Sequence, residues 1–142
     1  MPVAVIDSNV LIAMASRRDQ AHDIARDIVS GIDQGDLPAV RVTNYVVAEV
    51  LNYLRERNRG GVATDVYDRL DAGLGFEIVH ATKSDYNRAL DLFDRFESLS
   101  FVDGIITAYM MRTDLEYLYT FDDDFDAVEE ITRLSTAANP SV

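Results

Sequence analysis

Short apolar runs alternate along the chain with longer segments in which apolar residues recur every three or four positions. The run Val3-Ala-Val-Ile6 is rich in β-branched residues, too short for a helix and without polar alternation, which is typical of a strand buried on both faces. Strands are predicted at residues 3–6, 39–42, 76–80 and 117–120, with a brief fifth strand at 131–134.

The longer segments have the 3.6-residue period of amphipathic helices. Ser8 and Asn9 are good N-caps for a helix after the first strand, and Thr43 is a good cap for a helix after the second. The glycines in residues 58–61 are expected to end that second helix. The helix after the first strand is predicted at residues 10–15, and the others at residues 19–32, 62–70, 84–96 and 102–112.

This alternation of strands and helices predicts a three-layer α/β/α fold with a mostly parallel central sheet of four to five strands. A chain of 142 residues, 48% of them hydrophobic, is long enough to bury the core of one domain. We expect a single domain over residues 1–136 and a flexible, polar C-terminal tail over residues 137–142.

Composition excludes several kinds of chemistry. Cysteine is absent and only two histidines are present, which rules out disulfides and thiol nucleophiles and leaves few ligands for a zinc hydrolase. No apolar run approaches the roughly 20 residues of a membrane span, and the first strand leads into an acidic residue rather than a signal peptide. We therefore expect a cytoplasmic protein without a membrane partner, in which any metal is bound by oxygen atoms.

The formal net charge of -12 opposes non-specific attraction to the phosphate backbone of a nucleic acid. However, 18 of the 25 acidic residues are aspartate and Lys83 is the only lysine, which is typical of halophilic adaptation to a salty cytoplasm. At about 1 M salt the Debye length is about 3 Å, so local contacts would decide whether RNA binds. Arg55, Arg57 and Arg59 form such a local group, and two interpretations stay open: a solvated helix end or an RNA contact.

Acidic residues follow two of the predicted strands. Asp7 comes directly after the first strand and Asp122 shortly after the fourth. In an open parallel sheet, ligands bind at the carboxyl ends of the strands near the point where strand order reverses. If these two strands are neighbours, both carboxylates face one crevice, although each alone is equally well explained as a turn or helix cap.

Two further acids lie on predicted helices. Asp103 is in the first turn of its helix, where the helix dipole also favours a negative charge. Glu49 lies off the apolar stripe of its helix, and by geometry alone most such glutamates are merely solvated. The aspartates in residues 122–126 are spaced like the start of a calcium loop, but Ala127 and Arg133 occupy the positions of the required glycine and glutamate.

Four segments together resemble the PIN-domain family, and most closely its VapC-type toxin ribonucleases. They are Asp7-Ser-Asn9, the segment 43–51 that contains Glu49, Ser100-Phe-Val-Asp103, and Thr120-Phe-Asp-Asp-Asp-Phe125. The resemblance extends from about residue 3 to residue 134, and the order and spacing of the four segments make it specific.

The resemblance implies that Asp7, Glu49, Asp103 and Asp122 form a catalytic acidic centre that binds one or two Mg²⁺ or Mn²⁺ ions, with Asp124 as an auxiliary metal ligand. It also implies that Asn9 and Thr120 support this centre. The implied function is a metal-dependent endoribonuclease that hydrolyses RNA, acts as the toxin of a type II toxin–antitoxin pair, binds a cognate antitoxin and forms a homodimer. A non-catalytic RNA-binding or scaffold PIN domain is the alternative.

Overall fold

The computed structural model describes residues 2–57 and 59–142. Regular elements begin and end within a few residues of their predicted positions. In chain order they are β1 (Ala4–Ile6), α1 (Ser8–Ala15), α2 (His22–Gln34), β2 (Val40–Thr43), α3 (Asn44–Glu56), α4 (Gly60–Asp71), β3 (Phe76–Val79), α5 (Lys83–Arg95), α6 (Phe101–Thr113), β4 (Tyr117–Tyr119), a short 3-10 helix (Asp123–Ala127) and β5 (Thr132–Leu134).

The five strands form one sheet in the order β3-β2-β1-β4-β5, and every neighbouring pair is parallel. The chain builds the sheet outward from β1 to β3 and then returns to add β4 and β5 on the other side of β1. The strand order therefore reverses between β1 and β4, where Val5 pairs with Leu118. The predicted three-layer α/β/α fold with a parallel sheet is confirmed, and β1 and β4 are neighbours.

The core is built from the apolar faces that the periodicity indicated. The three residues of β1 are fully buried, as expected for a central strand covered on both faces. Helices α5 and α6 pack closely at Gly104, where an added Cβ would lie 3.0 Å from the carbonyl oxygen of Ala89. A salt bridge also joins these helices: Arg112 on α6 donates two hydrogen bonds, at 2.7 and 3.0 Å, to the buried Asp85 on α5.

Several predicted boundaries were wrong. Ser8 is the first residue of α1 rather than its cap, because Asp7 is extended and its carboxylate accepts the Ser8 N–H. Gly60 and Gly61 begin α4 instead of only ending α3, and Asn58 of that predicted helix end lies outside the described residues. Helix α2 begins at His22 rather than at Asp19, because residues 19–21 form a turn in which the Asp19 carboxylate accepts the Ala21 N–H.

The C-terminal segment contacts the body of the domain. The Tyr119 hydroxyl donates to the Ala138 carbonyl at 2.7 Å, and the Asn139 amide donates to the Asp36 carbonyl at 3.0 Å. The flexibility of residues 137–142 stays a prediction. Within residues 2–57 and 59–142, no helix is long and apolar enough to cross a membrane.

Candidate active site

Asp7 lies where β1 passes into α1, at the carboxyl end of the sheet. Its backbone is extended, and its Oδ1 accepts the Ser8 N–H at 2.7 Å, so the side chain caps α1. Only 3% of the residue is exposed. The strand and the helix therefore hold this carboxylate in a fixed position beside the end of β4.

A hydrogen-bond network from the β4 side holds the other oxygen of Asp7. The Thr120 hydroxyl donates to Asp7 Oδ2 at 2.9 Å and accepts from the Asn9 amide at 3.0 Å. The Asn9 carbonyl oxygen in turn accepts the Phe121 N–H at 3.2 Å. Asn9 and Thr120 thus link the first turn of α1 to the segment that follows β4, and both contact the carboxylate that they were predicted to support.

Asp103 is fixed by a reciprocal cap at the start of α6. The Ser100 hydroxyl accepts the Asp103 N–H at 3.1 Å, and the Ser100 N–H donates to Asp103 Oδ2 at 3.0 Å. This arrangement is a capping box, which satisfies two backbone donors that the helix leaves free. Oδ2 of Asp103 accepts a hydrogen bond in the cap, and Oδ1 is not used by the cap.

Asp122 and Asp124 come from the turn after β4. The Asp122 N–H donates to Thr120 Oγ1 at 3.1 Å, and the Asp122 carboxylate accepts the Asp124 N–H at 2.9 Å. The Ser98 hydroxyl holds the same turn from the α5–α6 connection by donating to the Asp124 carbonyl at 2.9 Å. Asp103, Asp122 and Asp124 each bring one carboxylate oxygen to a point where all three lie within 4.8 Å of one another.

Crowding and burial raise the proton affinity of these acids. Burial, followed by the negative charge of Asp103, raises the pKa of Asp7 to about 7. Burial also raises the pKa of Asp103, with the charges of Asp122 and Asp124 adding to the effect. A hydrogen bond shared with Asp122 raises the pKa of Asp124. Such shifts are expected where carboxylates are buried or share one site.

Glu49 is the solvent-exposed member of the predicted acidic centre. It is exposed on α3, as its position off the apolar stripe indicated, and its negative charge contributes to the raised pKa of Asp7. Within the part of the chain that the structure describes, the group of close carboxylates contains Asp103, Asp122 and Asp124, while Asp7 and Glu49 lie outside it. The five predicted acids are thus electrostatically connected, with three of them in mutual contact range.

Comparison with known families decides the relationship. The family model described as PIN domain matches residues 4–131. The chain belongs to the PIN-domain family. Comparison with curated protein sequences finds no match.

Solved structures share the fold of this PIN domain. VapC20 of Mycobacterium tuberculosis, described as a sarcin-ricin loop cleaving toxin, superposes with a TM-score of 0.77 at 22% identity, covering 89% of this chain and 95% of that one. A toxin–antitoxin complex from Klebsiella pneumoniae gives 0.69 at 20% identity, covering 96% and 98%. VapBC2 from Rickettsia felis, bound to a DNA fragment from its promoter, gives 0.70 at 11% identity, covering 93% and 97%.

The three arginines of the predicted local group have different surroundings in the PIN domain. Arg59 donates to the Ala15 carbonyl at 2.6 Å and to the Ser16 hydroxyl at 3.3 Å, which fastens the end of α1 to the start of α4. Arg57 lies 3.4 Å from the ring centre of Tyr53, and Arg55 is exposed. The contacts of Arg59 give it a structural role, and RNA binding by the group stays a prediction.

The donor set of the PIN domain fits a hard divalent cation. Mg²⁺ and Mn²⁺ prefer carboxylate oxygens, and the described cluster offers three of them without a histidine or a cysteine. Burial raises the pKa values of Asp7 and Asp103, the hydrogen bond with Asp122 raises that of Asp124, and neighbouring carboxylates add to each shift. A bound cation would offset this repulsion between the carboxylates. The capping box at Ser100 was missed from the sequence, although the spacing Ser-x-x-Asp before an apolar helix is its signal.

Proposed function

We propose that this PIN domain is a metal-dependent endoribonuclease that hydrolyses RNA phosphodiester bonds. The observation that carries the proposal is the convergence of the Asp103, Asp122 and Asp124 carboxylates within 4.8 Å, next to the buried and electrostatically coupled Asp7. Such a cluster is costly without a cation, because each added negative charge opposes the ionisation of the others. A bound metal ion best explains why three carboxylates lie this close together in a well-packed fold.

The residues of the centre divide into metal ligands and supporting groups in this proposal. Asp103, Asp122 and Asp124 would hold one or two Mg²⁺ or Mn²⁺ ions, with Asp7 and Glu49 completing the acidic centre. When bound, such ions supply water activation and neutralise the charge that develops on the leaving oxygen. Asn9 and Thr120 orient the Asp7 carboxylate through the hydrogen bonds at 2.9 to 3.4 Å.

The biological role in this proposal is that of the toxin in a type II toxin–antitoxin pair in the cytoplasm. Two of the solved structures with this fold are described as a toxin–antitoxin complex and as VapBC2. We propose a cognate antitoxin as the partner, and a homodimer as the assembly. An antitoxin with a cationic side chain would match the negative charge of the acidic centre.

The test is cleavage of labelled structured RNA by the purified protein with Mg²⁺, with EDTA, and after Mg²⁺ is restored. We expect cleavage only with metal, and a loss of roughly 10²-fold or more in Asp103→Asn. Asp123→Asn is the matched control, because it removes the same charge from an exposed neighbour outside the cluster. Cleavage that continues in EDTA would contradict the proposal, and RNA retention without cleavage would favour the non-catalytic binder.

A further inference from the structure

Helix α5 exposes an apolar stripe on its outer face. Tyr86, Leu90 and Phe93 are 42%, 46% and 50% exposed, and their spacing of four and three residues places them on one side of the helix. A contiguous exposed patch of large apolar side chains indicates an interaction surface. The stripe therefore calls for an occupant of matching shape and charge.

Neighbouring aromatic residues hold the rings of this stripe in place. The Phe101 ring lies 5.3 Å from Tyr86 and 6.3 Å from Phe93, centroid to centroid, with interplanar angles of 67° and 69°. Tyr45 of α3 lies 6.1 Å from Phe101 and extends the aromatic group beyond α5. Edge-to-face contacts of this kind favour defined ring orientations. A partner that covers the stripe thus loses little side-chain entropy on binding.

The two ends of the stripe carry opposite charges. At about 100° per residue, Lys83 and Asp94 lie about 60° and about 80° around the helix from Tyr86, on the same edge of the stripe. Both are exposed, and neither forms a salt bridge within residues 2–57 and 59–142. Helix α5 itself does not favour these positions, because its dipole disfavours a cation in the first turn and an anion in the last.

Opposite charges at the two ends of one helix are self-complementary. A two-fold axis brings the same surface of two copies together, and an axis perpendicular to α5 sets the two helices antiparallel. With Leu90 at the axis, Tyr86 of one copy lies opposite Phe93 of the other. The same edges of the two helices then meet, and Lys83 faces the end of the other helix that carries Asp94.

The charge of the protein favours a second copy over other occupants. A net charge of -12 repels anionic partners, nucleic acids among them, and most of the surface also repels another copy. The edge of the stripe differs, because Lys83 and Asp94 balance each other. Resting on the homodimer of the proposed function, we propose that α5 packs antiparallel against α5 of a second copy, with the stripe at the centre and two symmetric Lys83–Asp94 ion pairs at its ends.

Sedimentation of the full chain over a range of concentrations tests this interface by charge exchange. Asp94→Lys makes the net charge less negative, so overall repulsion alone would tighten the dimer. The proposed interface instead predicts a roughly 2- to 30-fold weaker dimer, because two exposed ion pairs become like-charge pairs. Lys83→Asp should weaken it similarly. The double variant Lys83→Asp/Asp94→Lys exchanges the two charges and should restore the wild-type affinity.

Two further variants separate the stripe from the rest of the surface. Leu90→Asp places like charges at the axis and should weaken the dimer at least roughly tenfold. Arg88→Asp makes the same charge change as Lys83→Asp but lies about 200° around the helix from Tyr86, so it is the matched control and should weaken the dimer far less. Far-UV circular dichroism of each variant checks that the helices are intact.

Three outcomes would overturn the inference. A double variant that dimerises no better than the single ones excludes the antiparallel register. A dimer that is unchanged in Asp94→Lys and Leu90→Asp excludes the α5 interface and leaves the proposed homodimer standing elsewhere on the surface. A wild type that stays monomeric, as it will if the stripe receives a different protein, overturns the interface and the homodimer together. RNA cleavage is measured separately, so the proposed ribonuclease is unaffected by all three.

Discussion

At the scale of single residues, Asp7 shows most clearly that fold and site make opposing demands. It caps α1 and accepts hydrogen bonds from Ser8 and Thr120, which favour its ionised form. Burial and the charge of Asp103 outweigh these bonds and raise its pKa to about 7. A carboxylate with a strongly raised pKa in the middle of a hydrogen-bonded network is a candidate for a functional site.

The raised pKa of Asp7 predicts how stability depends on pH. In the unfolded chain its pKa is near 3.8, so the folded state binds the proton more tightly. The resulting stabilisation is fully present below about pH 4 and is lost as the pH rises through about 7. The free energy of unfolding of the metal-free protein should therefore fall over this range, because each tenfold difference in proton affinity between the folded and unfolded chain is worth about 1.4 kcal/mol.

Urea unfolding in EDTA across this pH range tests the prediction. Asp7→Asn should flatten the decline, while Asp123→Asn, which removes an exposed charge, should leave most of it. The neighbouring acids Asp103 and Asp124 have raised pKa values and contribute in the same direction. A decline of equal slope in Asp7→Asn and wild type would show that Asp7 is not the group responsible.

The sequence allowed prediction of the acids at this scale but not of their contacts. Asp7 and Asp122 follow predicted strands, and they were expected to face one crevice if those strands are neighbours, because ligands of parallel sheets bind at the carboxyl ends of the strands. The hydrogen bond between Thr120 and Asp7 joins residues 113 positions apart, and no local pattern indicates it. Helical geometry predicts a solvated Glu49, and its exposure agrees with that geometry even though its negative charge acts on Asp7.

At the scale of elements, the start of α6 is where helix formation and site geometry depend on the same bonds. The Ser100 hydroxyl caps the helix, and the Ser100 N–H holds one oxygen of Asp103. Ser100→Ala should lower the free energy of unfolding by about 0.5–2 kcal/mol, since an N-cap oxygen is lost. It should also weaken Mg²⁺ binding, because the Asp103 N–H loses the Ser100 hydroxyl that fixes the first turn of α6 and with it the position of the Asp103 side chain.

Ser100→Thr is the control for this prediction, because threonine keeps the capping oxygen. Urea unfolding and Mg²⁺ titration of the two variants separate the contributions. Equal stability of Ser100→Ala and wild type would contradict the importance of the cap. A destabilised Ser100→Ala with unchanged Mg²⁺ affinity would leave the cap as a purely structural feature.

The elements themselves were predictable because their periodicities differ. Apolar runs of a few residues gave the strands, and the 3.6-residue period gave the helices, each within a few residues of the observed bounds. Boundaries failed where side chains decide them, as at Asp7, which replaces the predicted caps Ser8 and Asn9. The 3-10 helix at Asp123–Ala127 was not foreseen, because a run of aspartates has no apolar period to follow.

At the scale of the whole molecule, strand order could not be read from the alternation of elements. The same pattern is compatible with several orders, and the order β3-β2-β1-β4-β5 depends on long-range packing. This order brings β4 beside β1, and therefore Asp122 and Asp7 to one edge. The family resemblance implied that the acids meet, and the sheet topology provides the physical reason.

The charge of the whole molecule predicts a response to salt. A net charge of -12 on a chain of 142 residues destabilises the compact state by self-repulsion. Raising KCl from about 0.01 M to 0.15 M shortens the Debye length from about 30 Å to about 8 Å and should raise the free energy of unfolding. Urea unfolding at each salt concentration measures this. A free energy that stays constant or falls with KCl would contradict the halophilic interpretation.

The most direct test of the acidic centre is calorimetric titration of the purified, metal-free protein with Mg²⁺ and Mn²⁺. We expect saturable binding of one or two ions in the wild type, at least roughly tenfold weaker binding in Asp103→Asn, and wild-type affinity in Asp123→Asn. The two variants carry the same net charge, so a difference between them reports the site and not the overall field. Equal binding by both variants, or no binding to the wild type, would contradict a metal centre at Asp103, Asp122 and Asp124.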